Sequence, residues 1–437
     1  MKRNILSRSI AVGLLVAASW AEPARPDDDA SAPDVAAERA QTAVAVVTAP
    51  LDPPSRPPRS FDTPPPPAPT PGAEAGPVPP RKVLSLGDAS TIDVSPKLKV
   101  EARAVSGDVL KSADKQTWVN SHDSYVRKIR FGAGGHFLSR GKYTVTYVAE
   151  NLGRTHRSPT LEIDKAYADW TFAEVFAVRV GRAQLPLSRG VLLSSSSVFI
   201  DEAKVTDEAS DVFEDDDQLQ LQLGGRVLDG VLSYYAAIAN GWSQGAELDD
   251  FDQGGTVLRG QPLLVARAEL ALPGFAQPLA QTRPGKGRRI SIGGSFSTQR
   301  GIRYAGLEGH EDRTLAAIDV TARVDAFSAI VEGIAWRVDS TLPKVGHVRP
   351  WGWYAQTGWY VHALRLEPIV RYEHLREGAE AGASQQAISF GTTWYVLRDG
   401  AKLQVNYVHR TFGPESHDRL KRAGSRSLLE LGTELSF

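Results

Sequence analysis

Lys128, Arg130, Arg179, Arg267, Arg289, Arg371, Lys402 and Arg410 each occupy the polar position of a short run in which polar and apolar residues alternate. Arginine's planar fork pairs two oxygens of a phosphate or carboxylate, and lysine offers the same groups a point charge. Stacked along one wall, these side chains would form a basic track that draws anions. Facing an acidic segment, they would create a transverse field that orients polar solutes without strong selection. A third arrangement is structural: each cation pairs with a neighbouring acid such as Glu269, Glu367, Glu373 or Glu430 and stiffens the wall. Spacing alone leaves all three open, and a slip of one residue in register would exchange the two faces.

Covalent chemistry has little to work with. No two histidines stand at His-x-x-x-His spacing, Gly-x-Ser-x-Gly is absent, and Ser194 to Ser197 reads as a polar loop rather than a nucleophile. With no cysteine there is no disulfide scaffold, thiol nucleophile, thiolate metal site or lipidated N-terminal cysteine. No catalytic residue, metal site or cofactor is therefore expected. A net charge of −1 gives no footprint for nucleic acid.

The elements that carry the cations read as strands. Leu219, Leu221 and Leu223 alternate with Gln218, Gln220 and Gln222; Phe176, Val178 and Val180 with Ala177, Arg179 and Gly181; Leu403, Val405 and Tyr407 with Lys402, Gln404 and Asn406. The chain ends the same way, on Leu429, Leu431, Thr433, Leu435 and Phe437. Such a rhythm suits a strand with lipid on one side and water on the other, although a soluble sandwich also alternates. Connection lengths separate the two. About sixteen segments lie between Leu98 and Phe437, joined alternately by short turns (Leu138 to Gly141, Asp229-Gly230, Asp325-Ala326, near His362, Asp399-Gly400) and long loops (Ser106 to Asp123, Gln184 to Asp217, Gly241 to Pro262, Thr298 to Arg313, Asp339 to Val348, Thr411 to Arg426). This predicts an all-β, transmembrane antiparallel β-barrel of about 16 strands, with turns at one end and loops at the other. Only Pro273 to Gly287 is too long for its side. Trp351, Trp353, Trp359, Tyr360 and Trp394 sit where interfacial girdles belong.

Before the barrel the sequence has a different texture. Lys2, Arg3 and Arg8, the apolar Ile10 to Ala18 and Ser19-Trp20-Ala21 read as a signal peptide over residues 1–21. Residues 22–80 are proline-rich and poor in apolar side chains, a composition expected to stay disordered as a periplasmic segment. The barrel domain is assigned to 81–437. No later stretch approaches the roughly 20 apolar residues of a spanning helix.

Several motifs, in their order along the chain, resemble the phosphate-selective porin O and P family. They are Tyr125-Val126-Arg127-Lys128-Ile129-Arg130-Phe131-Gly132, Asp164-Lys165-Ala166-Tyr167, and Val180-Gly181-Arg182-Ala183-Gln184-Leu185-Pro186-Leu187-Ser188-Arg189. Asn240-Gly241, Trp353 to Tyr360, Glu367 to Tyr372 and Lys402 to Tyr407 continue the series. The resemblance implies a 16-stranded trimeric outer-membrane channel for small solutes or anions, in which the loop after the fifth strand folds inward as the constriction. Here that loop is Gln184 to Asp217, holding Arg189, Lys204, Asp201 and Glu202 among many acids. A phosphate filter needs cations, so phosphate selectivity is not carried over from the family. The expected partners are outer-membrane lipid, two further copies of the chain, and a barrel-assembly machinery that reads the C-terminal strand.

Overall fold

In the computed structural model the described residues are 82–85, 91–112, 117–152, 159–193, 203–213, 217–242, 257–278, 285–342, 347–378, 384–397, 400–413 and 425–436. The leader and the proline-rich segment lie outside them. The strands are β1 (Lys82–Ser85), β2 (Thr91–Ser112), β3 (Thr117–Phe137), β4 (Gly141–Leu152), β5 (Thr160–Ala173) and β6 (Phe176–Gln184). Two helices follow, α1 (Arg189–Leu192) and α2 (Lys204–Asp211). Next come β7 (Asp217–Val227), β8 (Leu232–Ala239), β9 (Val257–Arg259), β10 (Leu263–Ala276), β11 (Arg288–Tyr304) and β12 (Glu311–Val324). The last six are β13 (Phe327–Ser340), β14 (Trp351–Trp359), β15 (Leu366–Arg376), β16 (Ser384–Tyr395), β17 (Ala401–Phe412) and β18 (Ser425–Ser436).

Each strand pairs antiparallel with its neighbour, β8 pairs directly with β10, and β18 pairs with β2 from Leu428↔Gly107 to Ser436↔Lys99. The sheet therefore closes into a 16-stranded barrel of β2–β8 and β10–β18. Short β1 and β9 add to β2 and β11 outside the ring. Closure removes the sheet edges, which satisfies the backbone polar groups without water. No described helix is long and apolar enough to cross a membrane.

The alternation sorts the side chains. Along β7, Gln218, Gln220 and Gln222 are buried inside while Leu219, Leu221 and Leu223 are exposed outside. Outward aromatic residues gather at two levels. At the turn end the rings of Phe137, Trp170, Phe172 and Phe176 touch in series, and Phe327 meets Trp359. At the loop end Trp351 packs on His374, and Trp353 on Tyr372. Trp353 and Trp359 are separated by about 20 Å of strand, the scale of a barrel's apolar band.

Several expectations about connections change; Thr298 to Arg313, for one, shortens to residues 305–310, because β11 runs to Tyr304 and β12 starts at Glu311. Ser106 to Asp123 is mostly strand: β2 and β3 stay paired as far as Ser112↔Thr117, so a long hairpin replaces the expected loop. Asp229-Gly230 lies in a four-residue turn between Val227 and Leu232, with Leu228, Asp229 and Gly230 all at positive φ. The puzzling Pro273 to Gly287 begins inside β10, where Pro273-Gly274 sits in a register shift between Ala271 and Ala276 and Gly274 has φ +80°. Proline has no N–H to give the ladder and glycine accepts the φ, so the strand kinks there and continues.

Candidate functional site

The loop after the fifth barrel strand enters the lumen. Leu185, Leu187, Val191, Ala203, Val205, Ala209, Val212 and Phe213 join inward-facing Ala237, Leu263, Val265, Leu315, Ile330, Ile334, Trp336 and Leu375 in one buried apolar cluster. Inward positions of β8, β10, β12, β13 and β15 are thus apolar where the loop covers them. This burial holds the segment against the wall.

Polar contacts fix its position. Ser188 caps α1, its Oγ accepting from the Val191 N–H at 3.1 Å. Glu332 on β13 accepts the backbone N–H groups of Arg189 at 2.5 Å and Gly190 at 2.7 Å. The Arg189 guanidinium reaches Glu269 on β10 at 2.5 Å and Asp319 on β12 at 3.0 Å. Burial opposes its charge, but Glu269 and Asp319 outweigh that and raise its pKa further. Gly190 lies too close to Thr206 and Glu332 for any larger residue; an added Cβ would come within 2.4 Å of Thr206 Oγ1. At the far side the Lys204 N–H donates to Glu373 on β15 at 2.7 Å, and the Lys204 ammonium pairs with Asp207 and Glu208. Burial works against the Lys204 charge as well, and Glu208 and Asp207 again prevail. Arg313 donates to the Val212 carbonyl at 2.9 Å and lies over the Trp242 ring. Asp201, Glu202 and Ser194 to Ser197 lie outside the described residues.

The eight strand cations named from the sequence face inward, in several groups spread around the wall. Arg267 pairs with Asp319 at 2.5 Å, and Arg289 with Glu269, so both belong to the anchor of α1. Arg179 makes a two-pronged pair with Asp169 and lies 4.2 Å over the Tyr167 ring. Arg410 meets Glu373 at 3.3 Å, Lys402 meets Glu434 at 2.9 Å, and Arg371 is buried on β15. Lys128 pairs with Glu150 at 2.8 Å, and Arg130 with Glu101 at 3.0 Å and Asp164 at 3.3 Å.

Lys128 and Arg130 belong to a denser group. Two β-bulges break the simple alternation there. Between Glu101↔Lys128 and Ala102↔Val126, β3 carries one extra residue, Arg127, which turns inward beside Lys128. Between Thr146↔Lys165 and Tyr147↔Ile163, β5 carries an extra Asp164, so Asp164 and Lys165 both point inside. Lys99, Arg127, Lys128, Arg130 and Lys165 are consequently set among Glu101, Glu150, Asp164 and Asp217. Sequence reasoning missed Arg127, Lys165 and Arg103, the last paired with Glu430 across the β2–β18 seam. Strict alternation hides a bulge, and only doubled polar pairs such as Arg127-Lys128 and Asp164-Lys165 hint at one.

The profile of the phosphate-selective porin O and P family matches residues 98–437, the whole barrel ring but the first seven residues of β2. The chain belongs to that family. It is an outer-membrane porin, and family and fold are those of a channel. An uncharacterized protein of Aquifex aeolicus is 26% identical over 312 residues, covering 64% of this chain and 72% of its own. Among solved structures, the anion-selective porin from Comamonas acidovorans superposes with a TM-score of 0.55 at 13% identity, covering 79% of this chain and 100% of that one. The outer-membrane channel DcaP of Acinetobacter baumannii gives 0.52 at 14% identity, covering 79% and 97%. At such identities these two attest the barrel fold of the porin.

Proposed function

We propose that this porin is a passive diffusion channel for small hydrophilic solutes with a weak preference for anions. The observation that carries the preference is the cluster on β2, β3 and β5, where five cations share four acids. The contacts that fasten α1 and α2 fall on β10 to β15, so the loop narrows the lumen from the opposite side. Solutes would pass between the loop and this charged wall. Fixed cations at a narrow point raise the local concentration of anions, and the neighbouring acids keep the excess small. The paired arginines at Arg179, Arg267 and Arg289 serve mainly to hold wall and loop. Transport needs no cofactor or covalent step.

The long loops would face outward and the N-terminal segment the periplasm. Assembly would proceed through the C-terminal strand ending in Phe437, and the family resemblance argues for a homotrimer. Reversal potentials across planar bilayers in a salt gradient test the preference. The wild type should give a modest anion-selective potential. The double variant Arg127→Ala, Lys128→Ala should lose it or cross to cation selectivity, because Glu150 then stands without its lysine. A cation-selective wild type, or a double variant with an unchanged potential, would contradict the proposal. Liposome swelling by neutral sugars separates a conducting pore from a closed scaffold barrel.

A further inference from the structure

The outer surface carries a feature that conduction does not use. Above the loop-end aromatic belt, β13 continues past β14 and pairs with the segment that precedes it: Trp336 N–H donates to Pro350 O at 3.0 Å, and Val338 and Val348 bridge in both directions. This register sets Arg337 directly opposite Arg349, both exposed on the lipid-facing side. Two like charges in facing strand positions repel, so a sheet does not gain from such a pair on its own. One acid, Asp339, serves both Arg337 and His347. Among the described residues Arg349 forms no ion pair. Directly below lie Trp351, opposite Ala335 on β13 and Arg376 on β15, then Trp353, both exposed.

The geometry points to a binding site for a phosphate-bearing glycolipid of the outer leaflet, its phosphate bridging Arg337 and Arg349 while its acyl chains lie along Trp351 and Trp353. A guanidinium pair can bind one phosphate through several charge-assisted hydrogen bonds, which turns the repulsion into a chelate. Trp351 and Trp353 mark the interface, the depth at which a lipid's headgroup meets its chains. A solute phosphate in the lumen cannot reach these side chains, because they stand on the other face of the strand. The inference rests on the reading that the loop end faces outward.

The test uses the purified porin in mixed micelles, titrated with bisphosphorylated lipid A, dephosphorylated lipid A or phosphatidylglycerol, with bound lipid counted by native mass spectrometry. The wild type should bind lipid A tightly. The double variant Arg337→Ala, Arg349→Ala should bind it roughly tenfold or more weakly, given what hydrogen bonds to charged groups contribute. Dephosphorylated lipid A should bind the wild type as weakly, and millimolar inorganic phosphate should not displace the lipid. Equal binding by wild type and double variant, equal binding of the dephosphorylated lipid, or preference for phosphatidylglycerol would overturn the site. Single-channel conductance of the double variant should equal that of the wild type, which keeps this test separate from the channel reading and shows that the variant folds.

Discussion

Replacing Asp319 with Ala should destabilise the barrel by about 3–5 kcal/mol, because it takes from buried Arg267 its acid and leaves buried Arg189 with Glu269 alone. Asp319 receives Arg267 Nη2 at 2.5 Å and Arg189 Nε at 3.0 Å, and the side chains of Arg267 and Asp319 have no solvent exposure. Removing it loosens α1 from β12 as well, so the constriction should fluctuate and open-channel current noise should rise. Urea unfolding in lipid vesicles, followed by tryptophan fluorescence, reads the first effect, and single-channel recording reads the second. Asp319→Asn keeps hydrogen-bond acceptance at one oxygen and should show both effects more weakly. Unfolding at the wild-type midpoint with unchanged noise, in both variants, would show that Asp319 does not anchor the loop.

The second large effect concerns the outer face. Val331 lies in the middle of β13, 49% exposed, opposite Val320 and Ala355 and between the levels of Phe327 and Arg337. Val331→Arg places a cation near the bilayer midplane and should cost about 2–4 kcal/mol. Val408 on β17 faces the other way, on the lumen side with Asn406 and Arg410. Val408→Arg should leave stability near the wild-type value and alter conduction instead. Equal costs for the two substitutions would mean that lipid and lumen faces are not as assigned.

The place of Val408 follows from the run Lys402 to Tyr407, whereas that of Val331 does not show in the sequence, because the inward Ile330, Ile334 and Trp336 of β13 are apolar too. Period-two runs such as Leu219 to Leu223 and Leu403 to Tyr407 place lipid-facing and lumen-facing residues correctly, since nothing interrupts their ladders. Reading failed where the backbone adds a residue. The bulges at Arg127 and Asp164 keep both neighbours of a polar doublet inside, and no local rule of alternation places them. It was also blind where the lumen is not wet. Leu263, Leu264, Val265 and Ala266 are apolar on both faces, because the inner face of β10 covers the loop; only the structure shows that Leu185, Val191 and Phe213 meet it there. The partnership of Arg189 with Glu269 and Asp319 joins residues far apart in the chain, so no local spacing announces it.

Because the chain has no cysteine, a single introduced thiol reports its own surroundings. The most direct test of the water-filled barrel compares Lys99→Cys with Leu98→Cys, neighbours on β2 assigned to lumen and lipid. During bilayer recording, a charged, membrane-impermeant methanethiosulfonate should lower the current stepwise through Lys99→Cys and leave Leu98→Cys unaffected. Block at Leu98→Cys with none at Lys99→Cys, or no response at either site, would contradict the account.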